Sequence, residues 1–349
     1  MLEIGPQHPM DYRQEILKPF FRYVEGTESF YVVGAASMGK TRLLDFLTRA
    51  DVQKYYLGEH TDHHWLIRVD LNRLAVKKEE WGFYELLLNS ILLDLSNHEN
   101  IDNLNTEIAK LDSEILQNRD SRLASRFFEL VVIKLCQVHQ LKLCFLFDEF
   151  DEAYKSFPRE TFLQLRAVRD ANKNRVSFAL FLRDLPEHLR PPTDNESFYE
   201  LLSRNRIGLG PYTRQDALRM IQQLEARREY PLSPEQRGKL FDASGGHPGL
   251  IQALMSTLID TPHASDKLDA AGWMEWLSRQ PAAVEECRKI WNGLSEEERE
   301  GLSAFVAGNF SKISVPVGNL LITKGLLRAN DQGAQFFSGI FERYVKSLR

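Results

Sequence analysis

The sequence predicts an α/β fold: a parallel sheet sandwiched by helices, followed by a helical region and a small C-terminal domain. Three observations carry this. Apolar runs at residues 30–33, 65–71, 141–147 and 176–182, with a short fifth at 206–209, alternate with helical stretches, the order that builds a sheet covered on both faces. The run at 141–147 is apolar at nearly every position, as a strand with two buried faces requires. From Pro211 onward strand signals stop, and helical periodicity recurs at 214–228, 234–241, 249–258, 268–278, 282–292 and 296–307.

Taken in order, a helical pattern at residues 11–24 leads through Glu25-Gly26-Thr27-Glu28 into the first strand. That strand stops at Gly34, and a helix resumes at 41–48 with Leu43, Leu44 and Leu47 apolar. After the second strand, residues 81–95 read as a helix apolar on most faces. Residues 96–120 are the most polar stretch, yet Ile101, Leu104, Ile108, Leu111 and Ile115 recur at spacings of three and four. That stripe suits an insertion helix packing on its own domain, or a coiled-coil arm that takes a partner. The resulting boundaries are an N-terminal segment (1–28), an α/β domain (29–210), a helical domain (211–280) and a C-terminal domain (281–349).

Composition bounds the class. A chain of 349 residues, 43% hydrophobic and 27% charged, is globular with room for two or three domains, which excludes disordered, collagen-like and disulfide-scaffold proteins. With 44 Lys and Arg against 49 Asp and Glu, the net charge is −5. Nothing draws the whole chain to nucleic acid or to an anionic membrane, although a local basic patch stays open. Cys136, Cys144 and Cys287 are odd in number and far apart, which suits a reduced cytoplasm and argues against disulfide or zinc frameworks. The opening Met1-Leu2-Glu3-Ile4-Gly5-Pro6 lacks a signal peptide's basic and apolar regions. No apolar run approaches the roughly 20 residues that span a bilayer. The expectation is a soluble, cytoplasmic protein with no membrane contact.

The strongest motif is Gly34-Ala35-Ala36-Ser37-Met38-Gly39-Lys40-Thr41, a full match to G-x-x-x-x-G-K-[ST]. A strand delivers the chain to a loop whose backbone N–H groups converge on an anion. Glycines permit the tight wrap, and the following helix, with Arg42 in its first turn, adds its N-terminal partial charge. Lys40 then reaches the β- and γ-phosphates and the Thr41 hydroxyl ligates Mg²⁺.

The third strand runs directly into Asp148-Glu149. Two carboxylates at the end of a buried strand are costly unless a cation or water network meets them. Asp148 is the candidate for the Mg²⁺ shell, and Glu149 for the general base that deprotonates the attacking water. The alternative is that both cap the helix at 150–156. Asp151 and Glu152 read as N-terminal charges of that helix.

Other residues are candidate nucleotide sensors. Arg183 ends the fourth strand and either stabilises charge on the transferred phosphoryl group or pairs with Asp184 or Asp148. Arg204 and Arg206 precede the fifth strand, as an arginine finger toward a neighbouring subunit or as surface arginines. Gly245-Gly246-His247-Pro248-Gly249 opens a helix, making Pro248 a candidate adenine contact. His60, His63 and His64 read as loop, with a metal role the alternative.

Together these motifs resemble the signal-transducing STAND branch of the P-loop ATPases, allied to the AAA+ class, from about Pro9 to the end. Tyr12-Arg13-Gln14-Glu15 stands where that branch has a Gly-Arg-Glu element, with Tyr12 in place of the glycine. Leu182-Arg183-Asp184 is similar to its arginine sensor, and Gly246-His247-Pro248 to its Gly-x-Pro motif. The C-terminal stretch resembles a winged helix. Leu294-Ser295-Glu296-Glu297-Glu298 opens a helix with a capping box, residues 319–327 form a helix closing at Gly325, and Asp331-Gln332-Gly333 is a hairpin tip. The resemblance implies an ATP/ADP- and Mg²⁺-binding switch that hydrolyses ATP slowly. Such a switch would assemble with copies of itself and act through a separate sensor or effector protein.

The competing reading is a DNA-binding ATPase of the origin-recognition or transposition-regulator type. Charge weighs against it. Between Val284 and Arg349 nine Lys and Arg stand against eight Asp and Glu, and the stretch 315–327 that would read DNA carries one basic residue before Leu327, Lys324. DNA readers cluster cations to neutralise phosphates.

Overall fold

The computed structural model describes residues 8–74, 79–95, 102–194, 196–261, 268–330 and 333–349. The readings placed on residues 1–6, on Ile101 and on Asp331-Gln332 lie outside the described residues.

The first part of the chain runs α1 (Gln14–Glu25), β1 (Phe30–Val33), α2 (Lys40–Leu47), α3 (Ala50–Leu57), β2 (His64–Asp70), α4 (Glu80–Leu95), α5 (Asp102–Asn118) and α6 (Ser121–Ile133). It continues with β3 (Lys142–Asp148), α7 (Phe150–Ser156), α8 (Arg159–Ala171), β4 (Val176–Leu182), α9 (Pro186–Leu189), α10 (Glu196–Leu202) and β5 (Arg206–Gly208). Then come α11 (Arg214–Arg228), α12 (Pro234–Ser244), α13 (Pro248–Asp260), α14 (Ala270–Ser278), α15 (Pro281–Asn292) and α16 (Glu296–Val306). The chain closes with α17 (Val315–Thr323), β6 (Leu327–Asn330), β7 (Gly333–Phe336) and α18 (Gly339–Ser347).

These elements form two compact units. One comprises residues 17–32 and 41–207, the other residues 1–16, 33–40 and 208–349. The first is built on a parallel sheet in the order β2-β3-β4-β1-β5. Its register pairs Asp70 with Asp148 and Phe147 with Leu180, so the ends of β2, β3 and β4 share one edge. Every side chain of β1 and β4 is buried, which is why these runs lack the alternation of a one-sided sheet. The stripe on α5 is answered within the unit: Leu104, Ile108 and Ile115 are buried, and the helix packs on α4 and α6.

The second unit is helical apart from the antiparallel β6–β7 hairpin. Its helices, α15 apart, begin on side-chain caps that satisfy otherwise orphaned N–H groups. Thr213 accepts from Asp216, while Ser233 with Gln236 and Ser295 with Glu298 form capping boxes. The helix read over 319–327 ends earlier. Gly325 takes φ +68, and a Cβ there would sit 2.5 Å from Pro211 Cδ, so the chain turns out of α17 into β6. Lys324 therefore lies past the end of α17 and is fully buried, 2.6 Å from the equally buried Glu298. No described helix is long and apolar enough to cross a membrane.

Candidate phosphate-binding site

The loop at 34–39 leaves β1 with no room for a side chain at its first residue: a Cβ on Gly34 would lie 2.8 Å from the Leu209 carbonyl oxygen. Ser37 and Gly39 both take positive φ, 55° and 88°. For Ser37 this costs about 1 kcal/mol or more, so its surroundings must hold it there. They do so through the loop carbonyls. Lys40 Nζ donates to Gly34 O at 2.8 Å and to Ala35 O at 3.2 Å. His247 Nε2 donates to Ala36 O at 3.1 Å and Arg13 Nη2 to Met38 O at 2.7 Å. Thr41 is exposed and Arg42 half-buried on the first turn of α2.

Arg13 was not singled out by the sequence, although it belongs to the Tyr12-Arg13-Gln14-Glu15 element. It is fully buried at φ 45°, and that conformation starts α1 at Gln14 instead of residue 11. Its Nη1 donates to Gly210 O at 2.8 Å, its main-chain N–H to Asp216 Oδ2 at 3.1 Å, and its guanidinium lies 4.3 Å from the Tyr212 ring centroid. Tyr12 is buried beside it, its hydroxyl 3.0 Å from that of Tyr212 and its ring stacked on His8. Pro248 packs at the loop: its Cγ is 3.8 Å from where a Gly39 Cβ would stand. Tyr12, residues 34–40 and Pro248 thus come together in one unit, with Arg13 and His247 added.

His247 is fully buried. Its Nδ1 accepts from the Leu250 N–H at 3.2 Å, capping α13, so the hydrogen sits on Nε2. Burial pushes its pKa from the ordinary 6.5 down to about 4, with Arg13 and Lys40 acting in the same direction and the Ala36 carbonyl against it. The unfolded chain takes up this proton below about pH 6.5 while the folded protein refuses it until about pH 4. Stability is therefore full above pH 6.5 and falls as the pH drops toward 4, by about 3 kcal/mol at most. Urea melts between pH 7 and pH 4.5 check this: the wild-type loss across that range should shrink in His247→Asn.

The carboxylates lie in the sheet unit. Asp148 is buried at the end of β3 and accepts from Arg68 Nη2 at 3.1 Å on one oxygen. Its other oxygen, Oδ1, is buried without a hydrogen-bond partner. Burial raises the Asp148 pKa and Arg68 opposes the rise. Arg68 also reaches Asp45 on α2 at 2.5 Å. Its sequence signal was a lone basic residue inside the apolar run of β2.

Glu149 takes left-handed backbone (φ 55°, ψ 44°) at the start of α7, and its side chain makes no capping bond, so the capping alternative is not what the geometry shows. Instead its Oε2 accepts from Arg183 Nη2 at 2.5 Å, a partner other than the expected Asp184 or Asp148. Burial works to lower the Arg183 pKa, but Glu149, Asp151 and Asp148 outweigh it and raise it. Asp151 is more than a charge at a helix start. Its carboxylate accepts the main-chain N–H of Arg183 at 2.9 Å and of Asp184 at 3.2 Å, fixing the turn that carries Arg183. Arg204 is exposed and joins none of these groups. His60 and His63 lie in a single 3-10 segment, Gly58–His63, and His64 Nδ1 bonds to the His60 carbonyl. Among the described residues no cluster of three His, Cys, Asp or Glu is arranged to hold a metal.

No family model and no curated protein matches the sequence. Solved structures do. A Walker-type ATPase of Pyrococcus abyssi is similar at 12% identity over 98% of this chain and 99% of its own, with a TM-score of 0.54. The ORC2 protein of Aeropyrum pernix is similar in its ADP form at 13% identity over 99% and 96% of the two chains, TM-score 0.52. In its ADPNP-ADP complexes the same protein matches at 14% identity and the same coverage, TM-score 0.51. At such identities the likeness establishes the fold, and this chain has the P-loop NTPase fold with a helical C-terminal region.

Proposed function

We propose that this chain binds ATP and ADP at residues 34–42 and hydrolyses ATP with Mg²⁺, using the cycle as a conformational switch. The observation that carries the reading is the loop itself, held at positive φ by four bonds to its own carbonyls. The residues fit a divalent cation: a buried carboxylate oxygen with no partner on Asp148 and the hydroxyl of Thr41, an exposed residue, are hard oxygen donors of the type Mg²⁺ takes. Bound there, Mg²⁺ would neutralise charge on the β- and γ-phosphates. In this assignment Lys40 binds the phosphates, Glu149 takes the proton of the attacking water, Arg183 holds Glu149 and responds to the γ-phosphate, and Tyr12 and Pro248 flank adenine.

Replacing Lys40 by alanine tests the reading. The loss of a charged hydrogen-bond donor to phosphate should weaken ADP binding about a hundredfold, or about 2.8 kcal/mol, as read by calorimetry. Equal affinity in wild type and Lys40→Ala would overturn it.

Two partner classes remain. The whole-length likeness to the ORC2 protein supports an origin-recognition-type ATPase, with DNA as partner, better than the STAND switch with its separate sensor or effector. The burial of Lys324 leaves α17 without an outward charge and points any DNA contact to another surface. Adding duplex DNA to the ATPase assay separates the two: a stimulation that falls steeply with salt favours DNA. Self-association in ATP but not ADP, with Arg204 acting on the neighbouring copy, and a cytoplasmic location complete the proposal. An unchanged elution volume in both nucleotides would remove the assembly step.

A further inference from the structure

Two of the four bonds that hold the loop come from outside the motif, from residues 25 and 211 positions away in sequence. They fall on the carbonyls of Ala36 and Met38, the middle of the loop. A peptide unit is planar and its C=O and N–H point to opposite sides. Holding Ala36 O therefore aims the Ser37 N–H, and holding Met38 O aims the Gly39 N–H. Those residues are the two at positive φ, where successive amides turn toward a common anion.

Both donors are themselves tied down. Arg13 is fixed at its other guanidinium nitrogen by Gly210 O and at its main chain by Asp216. His247 caps α13 through Nδ1 while Nε2 reaches the loop. The first turn of α13 also presses on the loop, since a Cβ at Gly249 would come 2.8 Å from Ser37 Cβ.

We propose that Arg13 and His247 are positioning residues of the phosphate site, which hold its central peptide planes in the anion-binding orientation and thereby tie phosphate affinity to the seating of α13. The inference rests on the phosphate-loop reading above. A shift of α13 away from the loop removes the imidazole from Ala36 O, and phosphate affinity drops with it.

Two variants and two probes test this. His247→Asn keeps an oxygen to cap α13 but is too short to reach Ala36. Arg13→Lys keeps the charge but loses the fork that spans Gly210 O and Met38 O. Each should weaken binding of ADP without metal, and of inorganic pyrophosphate, about tenfold, the value of one well-placed hydrogen bond. Pyrophosphate sees the phosphate site alone, and a merely structural role would not move both probes together. In nucleotide-free protein the backbone amide resonances of Ser37 and Gly39 should shift in both variants. Affinities within about twofold of wild type for both probes would overturn the proposal, as would a loss confined to ADP. If Arg13→Lys fails to fold, His247→Asn decides alone. A wild-type protein that binds neither probe sinks the phosphate-loop reading itself, a distinguishable result.

Discussion

Glu149→Gln should lower kcat for ATP hydrolysis by about 10²–10⁴-fold, the range of a positioned general base, while ATP and ADP affinities stay within about twofold. Glutamine is the informative replacement because of the Arg183 bond. The amide oxygen still accepts from Arg183 Nη2, as Oε2 does at 2.5 Å, so the local structure and the left-handed turn at the end of β3 are kept while proton affinity is lost. Glu149 is half-buried and its helix is not capped by its side chain. The strained turn therefore supplies no helix cap, and non-glycine residues at such backbone angles concentrate at functional sites. Single-turnover hydrolysis of Mg·ATP measures the effect. If Glu149 were only the start of α7, kcat would stay within about twofold and the base would have to be sought elsewhere.

Strands β3 and β4 were legible because burial on both faces leaves a nearly continuous apolar run, and all five strands of the parallel sheet fall within a residue or two of where those runs placed them. The phosphate loop was legible because its chemistry demands fixed residue types at fixed spacing. What was not legible is what comes from far away. Arg13 and His247 look locally like a helix-start cation and a turn histidine, yet each bonds to a loop carbonyl through tertiary structure. Asp151 sits where a first-turn acid serves the helix dipole, and instead it binds amides 32 and 33 positions on. Helix α3 escaped because its apolar positions, Val52 and Leu57 among the buried ones, are too few to set a period. Local pattern reports burial of apolar faces well, and it reports the partners of polar groups poorly.

Lys324 is the sharpest case, and it carries the second large effect. By pattern it is the lone basic residue of a helix that would face DNA; in the structure it is fully buried, 2.6 Å from the fully buried Glu298. Glu298 already accepts from the Ser295 N–H through Oε2 at 2.9 Å, so Lys324 is what neutralises the carboxylate. Lys324→Met would leave that charge uncompensated in the interior, at a cost of about 3–5 kcal/mol. The melting transition should fall by roughly 6–20 °C. The double variant Lys324→Met/Glu298→Gln should recover most of the loss, because removing both charges spares their desolvation while the glutamine oxygen keeps the Ser295 bond. A single variant costing less than about 1 kcal/mol would mean that the carboxylate finds water or another cation. The same double variant checks that this residue is no DNA contact: if Lys324 met DNA, its removal would lower the salt slope of binding by about 1. A slope equal to wild type is expected, since a side chain with no exposed surface neutralises no phosphate and releases no counterion.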